Sequence, residues 1–137
     1  MGRFSFIFIG SFTLLISILS FLNIIYSYYL KLFLNIDIYF IIFLFTLSLG
    51  LFLILFKRIH FNKINIYEKI LIVIIGYLLF PIIISLPFYF SIENISYLNS
   101  YFEAISGFTS TGFSIFENIK QLDQSLIIWR SSSQWIG

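Results

Sequence analysis

The chain holds 137 residues, 60% hydrophobic and 10% charged, where soluble globular domains carry about 45–50% and about 25%. Eight Lys+Arg against six Asp+Glu leave a formal net charge of +2, too small and too scattered for a nucleic-acid binder, so nucleic acid is excluded as a partner. With no cysteine and the single histidine His60, disulfides, thiol chemistry and zinc sites have no ligands to build on.

The apolar residues are large ones: Phe occurs 19 times and Tyr 9 times, while Ala stands only at 104 and Val only at 73. Such a chain has weak intrinsic helix propensity, because β-branched and aromatic side chains lose freedom in a helix. In lipid this matters little, since the backbone must satisfy its own hydrogen bonds. Uncharged runs extend from Phe4 to Leu30, Ile38 to Phe56 and Ile70 to Ile92, each near the roughly 20 residues a bilayer-crossing helix needs. Transmembrane helices are predicted at 6–29, 37–56 and 69–89. The first run exceeds a signal-peptide core of about 7–15 residues, and no A-x-A-like cleavage site follows it. Tyr26, Tyr28 and Tyr29 at its end read as an interfacial aromatic belt.

Lys57, Arg58, Lys63 and Lys69 cluster between the second and third spans, against Lys31 balanced by Asp37 between the first and second. The positive-inside rule therefore puts the 57–69 loop and the amino terminus, with Arg3, in the cytoplasm. His60 in that loop reads as a solvated interface residue. Pro81 and Pro87 are expected to kink the third span or to end it. Asn94-Ile95-Ser96 matches a glycosylation sequon, but nothing else in the sequence points to a secretory-pathway protein.

After the third span, Ala104 to Phe116 is uncharged but too short to cross, and matches a re-entrant or buried short helix of about 10–14 residues. Ser100-Tyr101-Phe102-Glu103 fits an S-x-x-E capping box, which predicts a helix over 101–108 with Ser100 as cap and Glu103 reaching back. Its negative dipole end points at Ser106-Gly-Phe-Thr-Ser-Thr-Gly112, small and hydroxylated residues that favour irregular backbone. Helix, short re-entrant helix, Thr/Gly segment and helix is the order an ion-selective pore loop requires. Backbone carbonyls of an extended strand can replace the hydration shell of a cation, and Gly112 lowers the cost of the unusual dihedrals this demands. Taken alone, a Ser/Thr/Gly stretch after an apolar run is more often an ordinary extramembrane loop. Glu103 is expected to cap, with a functional intramembrane carboxylate as the alternative. Arg130 is expected to snorkel or pair with Asp123, with shaping of the field at a pore mouth as the alternative. No convergent acid, base or nucleophile set is present, so no catalytic residue is predicted and the chain is not read as an enzyme.

Tyr-Phe-Glu-Ala-Ile-Ser-Gly-Phe-Thr-Ser-Thr-Gly-Phe-Ser (101–114), followed by Ile-Ile-Trp-Arg-Ser-Ser-Ser-Gln-Trp-Ile-Gly (127–137), resembles the first pore loop and following helix of the Trk/Ktr/HKT potassium transporter superfamily, and TrkH-type subunits most of all. Ser85-Leu86-Pro87-Phe88 is similar to the segment ahead of the family's pore helix. The resemblance implies a pore of four helix, pore-loop, helix repeats around one axis, with a filter strand at Thr109, Ser110, Thr111, Gly112 and Phe113 and potassium held at Ser110, Thr111 and Gly112. Ser110 departs from the more frequent Thr but keeps the hydroxyl. Gly at 112 goes with potassium preference in this superfamily, whereas some plant relatives with Ser there conduct sodium. The resemblance also implies a homodimer and a cytosolic nucleotide-binding, TrkA-like regulator.

The expectation is an all-α polytopic membrane protein of the lipid bilayer: an amino-terminal transmembrane hairpin over 1–66, then a first pore-loop repeat over 67–137 whose last helix is incomplete. Its function is potassium uptake across the cell inner membrane, down the gradient or with a coupled ion. Potassium is substrate and no cofactor is expected. One strand supplies a quarter of a coordination ring, so three further repeats are required and this stretch alone is expected to be inactive, a fragment or truncated frame. The alternative is a non-transporting small membrane anchor or assembly protein.

Overall fold

The computed structural model describes residues 4–55, 66–119 and 122–137. Its described residues form five α-helices: α1 (Phe4–Tyr29), α2 (Ile36–Leu55), α3 (Ile66–Ser91), α4 (Tyr97–Phe108) and α5 (Gln124–Ile136), with a 3-10 turn at Phe33–Asn35 before α2. Three stretches of 23 residues each are long and apolar enough to cross a membrane: Ile7–Tyr29 in α1, Phe33–Leu55 through the 3-10 turn and α2, and Lys69–Ser91 in α3. The basic cluster at Lys57, Arg58 and Lys63, with His60 and Arg3, lies outside the described residues.

α1 ends where Lys31 enters the left-handed region at φ 60°. Its N–H reaches Tyr28 O at 3.2 Å, and that of Leu32 reaches Ser27 O at 2.8 Å, the paired bonds of a Schellman close. The chain then turns back as α2, which packs chiefly on α1. Two glycines let the helices approach closely: a Cβ on Gly50 would stand 2.8 Å from Leu14 and 2.9 Å from Thr13 Oγ1, and one on Gly10 would stand 3.2 Å from Gly50 O. Lipid tails compete for apolar surface as well as any helix does, so such close packing, with interhelical hydrogen bonds, is what holds membrane helices together.

α3 runs through both prolines, so neither Pro81 nor Pro87 ends it. Bundled membrane helices absorb the lost backbone bonds in this way. The reversal after α3 uses Asn94 at φ 61°, a residue type that tolerates this conformation. α4 then begins earlier than the capping-box pattern predicts. Ser96 is its cap, accepting from Asn99 N at 3.2 Å, while Ser100 lies one turn inside, donating to Ser96 O at 3.3 Å. The tight turn at Asn94 sets Ser96 extended at ψ 151°, the backbone an N-cap needs, and so places the first turn at 97 rather than 101. Glu103 caps nothing.

α5 is capped by Asp123, which accepts from Ser125 N at 2.8 Å. One apolar cluster joins Ile16 of α1 and Tyr39 and Ile42 of α2 to Ile84 and Phe88 of α3, Ala104 and Phe108 of α4, and Leu126 and Trp129 of α5. Trp129 lies at its centre. The indole stands 5.6 Å from the Tyr39 ring and its Nε1 donates to Ile84 O at 2.9 Å.

Candidate functional site

α4 closes with Thr109 N–H on Ile105 O at 2.8 Å and Ser110 N–H on Gly107 O at 3.0 Å. Ser110 then takes φ 56° and Gly112 takes φ 78°, and Thr109 to Phe113 leave the helix as an exposed, non-helical segment. Among the described residues nothing lies within 4 Å of a Cβ built on Gly112. The constraint there is conformational rather than spatial, as the sequence reading expects.

Ser106 holds the segment from behind. Its carbonyl accepts from Thr111 N at 3.1 Å, Gly112 N at 3.5 Å and Thr111 Oγ1 at 3.2 Å. Its hydroxyl donates to Phe113 O and lies 3.1 Å from Thr111 Oγ1. Thr109 Oγ1 turns back to Ile105 O at 2.7 Å, and Ser110 Oγ reaches Gln134 O at 3.3 Å. The hydroxyls of Thr109, Ser110 and Thr111 thus act as anchors. The carbonyls of Thr109, Ser110 and Thr111 accept no hydrogen bond from the described residues.

Glu103 and Arg130, 27 positions apart, meet beside this segment. Arg130 Nε donates to Glu103 Oε1, so Arg130 pairs with Glu103 and not with Asp123. The carboxylate is fully buried and also accepts from Ser114 Oγ and from Ile115 N, each at 3.1 Å. Three donors on one carboxylate compensate much of the cost of burying charge. Arg130 Nη2 donates to Phe113 O at 3.1 Å and, more weakly, to Gly112 O at 3.5 Å. One guanidinium therefore joins α4, the far end of the 109–113 segment and α5.

Two glycines bring α4 and α5 together: a Cβ on Gly107 would stand 2.8 Å from Ser133 Oγ, and one on Gly137 only 1.7 Å from Phe108 O. Thr109 to Phe113 follow α4 directly, and Ser100 lies in the first turn of that helix. Ser106 and the Glu103–Arg130 pair are what sequence reading misses. The available signal is that two opposite charges in otherwise apolar surroundings are expected to find each other.

No protein-family model matches the chain, and no solved structure matches it. Among curated proteins, an uncharacterized cation transporter of Methanocaldococcus jannaschii is 36% identical over 63 residues, covering 46% of this chain and 13% of the relative. The Trk system potassium uptake protein TrkG of Escherichia coli (strain K12) is 27% identical over 71 residues, 51% of this chain and 15% of the relative. TrkI of Halomonas elongata, another Trk system potassium uptake protein, is 38% identical over 53 residues, 39% of this chain and 11% of the relative. Over part of its length the chain is similar to Trk system potassium uptake proteins. The relatives it matches are named as transporters and not as enzymes, two of them as potassium uptake proteins. The chain spans less than a sixth of the length of each relative it matches.

Proposed function

We propose that this chain forms the amino-terminal hairpin and first pore-loop repeat of a potassium uptake subunit of the inner membrane, with the main chain of 109–113 lining its selectivity filter. The observation that carries this reading is the pairing of bare and tethered carbonyls. Thr109, Ser110 and Thr111 leave their main-chain oxygens free on an exposed segment, whereas Ser106 and Arg130 fasten Gly112 and Phe113. Free, fixed carbonyls at the negative end of a helix are what an alkali cation shedding water needs. Ser110 and Thr111 then offer potassium their carbonyls, and Gly112 supplies the bend. Three further repeats complete the ring, and a homodimer with a cytosolic nucleotide-binding, TrkA-like regulator is the assembly this reading carries with it. The amino terminus lies in the cytoplasm, as the positive-inside rule gives it.

The test is growth. The complete reading frame containing this chain is expected to rescue potassium-uptake-deficient cells at low potassium, and Gly112→Ser to raise sodium permeation or abolish rescue. A well-expressed protein that gives no rescue overturns the reading and favours a membrane anchor. Rescue with unchanged ion preference in Gly112→Ser overturns the filter assignment.

A further inference from the structure

Outside the 109–113 segment and the Glu103–Arg130 pair, a buried polar node surrounds Ser125, which has no solvent exposure. Three elements of the amino-terminal hairpin converge on it. Asn23 Nδ2 of α1 donates to Ser125 O at 3.4 Å, Asn35 Nδ2 of the 3-10 turn to Ser125 Oγ at 3.2 Å, and Tyr39 OH of α2 to Ser125 Oγ at 3.3 Å. The Ser125 hydroxyl in turn donates to Asp123, the cap of α5. A hydroxyl offers one donor and two acceptor sites, so all three are filled and its direction is fixed.

Stability does not explain this node. Asn23 and Asn35 each leave a buried Oδ1 with no partner among the described residues, a penalty that leucine of similar size would avoid. The next turns of α5 show what the node holds. Trp129 packs on Tyr39 of the same hairpin, and Arg130 reaches the Gly112 and Phe113 carbonyls. Ser125 and Arg130 lie about 7.5 Å apart along one helix, too short a distance for a shift at one to be absorbed before the other.

We propose that the amino-terminal hairpin sets the geometry of the 109–113 segment, with Asn23, Asn35 and Tyr39 acting as positioning residues through Ser125, α5 and Arg130. The proposal rests on the filter reading and deepens it: the hairpin is part of the selectivity apparatus rather than a detached anchor.

The experiment uses the complete reading frame, comparing wild type with Asn35→Leu/Tyr39→Phe, alone and combined with Arg130→Gln. The hairpin variant removes both hydrogen bonds to the Ser125 hydroxyl and also one bare oxygen, so folding is expected to survive. Its potassium-to-sodium permeability ratio is expected to fall about two- to thirtyfold at equal expression, the range over which residues remote from a site modulate coupling. In the Arg130→Gln background the hairpin change is expected to add nothing further. A second readout does not need transport. With Phe113→Cys as the sole cysteine, the rate of thiol modification is expected to rise in the hairpin variant. An unchanged ratio in a transporting protein, an additive fall in the Arg130→Gln background, or an unchanged modification rate overturns the proposal. A wild type that carries no potassium overturns the filter reading instead, and the modification rate then still decides whether the hairpin governs the segment.

Discussion

A guanidinium that reaches from α5 to a carboxylate without exposure cannot be removed without consequence for that carboxylate. Arg130→Gln leaves Glu103 charged and buried with Ser114 and Ile115 as its remaining donors, which is expected to cost about 3–5 kcal/mol. The pair as a whole is worth far less than that, because desolvation offsets its attraction. Adding Glu103→Gln to Arg130→Gln is therefore expected to recover most of the loss. Equilibrium unfolding in bicelles checks both, and a double variant as unstable as Arg130→Gln refutes the account. At Gly112 the penalty has another origin. Gly112→Ala meets no neighbour within 4 Å yet holds φ 78°, and is expected to cost roughly 1 kcal/mol through backbone conformation alone. Gly107→Ala is the opposite case, since its Cβ meets Ser133 Oγ at 2.8 Å in an unstrained helix. Ser133→Ala is expected to relieve Gly107→Ala and to leave Gly112→Ala unrelieved.

At the level of elements, the three long helices were legible because their signal is local: an uncharged run of sufficient length states its own structure in lipid. The start of α4 was not legible in the same way. Ser100 and Glu103 satisfy the spacing of a capping box, yet the cap belongs to Ser96, because the backbone reversal at Asn94 decides where the first turn begins. A four-residue pattern carries no information about that reversal. The Glu103–Arg130 pair spans 27 positions and the bonds into Ser125 span 86 to 102, so they follow from how α4, α5 and the hairpin assemble and from no local pattern. The segment Thr109 to Phe113 was readable because small, hydroxylated and glycine residues disfavour helix wherever they fall together. Helix pairing offers its own test. Gly50→Ala puts a methyl 2.8 Å from Leu14 and is expected to destabilise the α1–α2 pair by about 1–3 kcal/mol, with Leu14→Ala restoring part of it in the same unfolding assay.

For the molecule as a whole, the bonds from Asn35 and Tyr39 to Ser125 put the α1–α2 connection and the start of α5 at one end of the bundle. The α3–α4 connection is expected at that end too, since α1, α2 and α3 are each long and apolar enough to cross. Under the proposed orientation, with the basic residues in the cytoplasm, this end faces outward. Cysteines introduced at Leu34, which is 78% exposed, and at Glu93 are then both expected to react with a membrane-impermeant thiol reagent applied to intact cells. Labelling of one without the other refutes a shared face, and labelling of both only after lysis reverses the orientation.

Gly137 touches Phe108 main chain to main chain, with no side chain to act as a cushion. The separation of the two helices at that point is fixed by the bare thickness of a peptide. Under the pore reading, the calibre of one quadrant of the conduction path inherits that minimum, and any bulkier residue at 137 would wedge the short helix outward. The expected cost is poorer discrimination between alkali ions of different radius, even with every coordinating oxygen still in place.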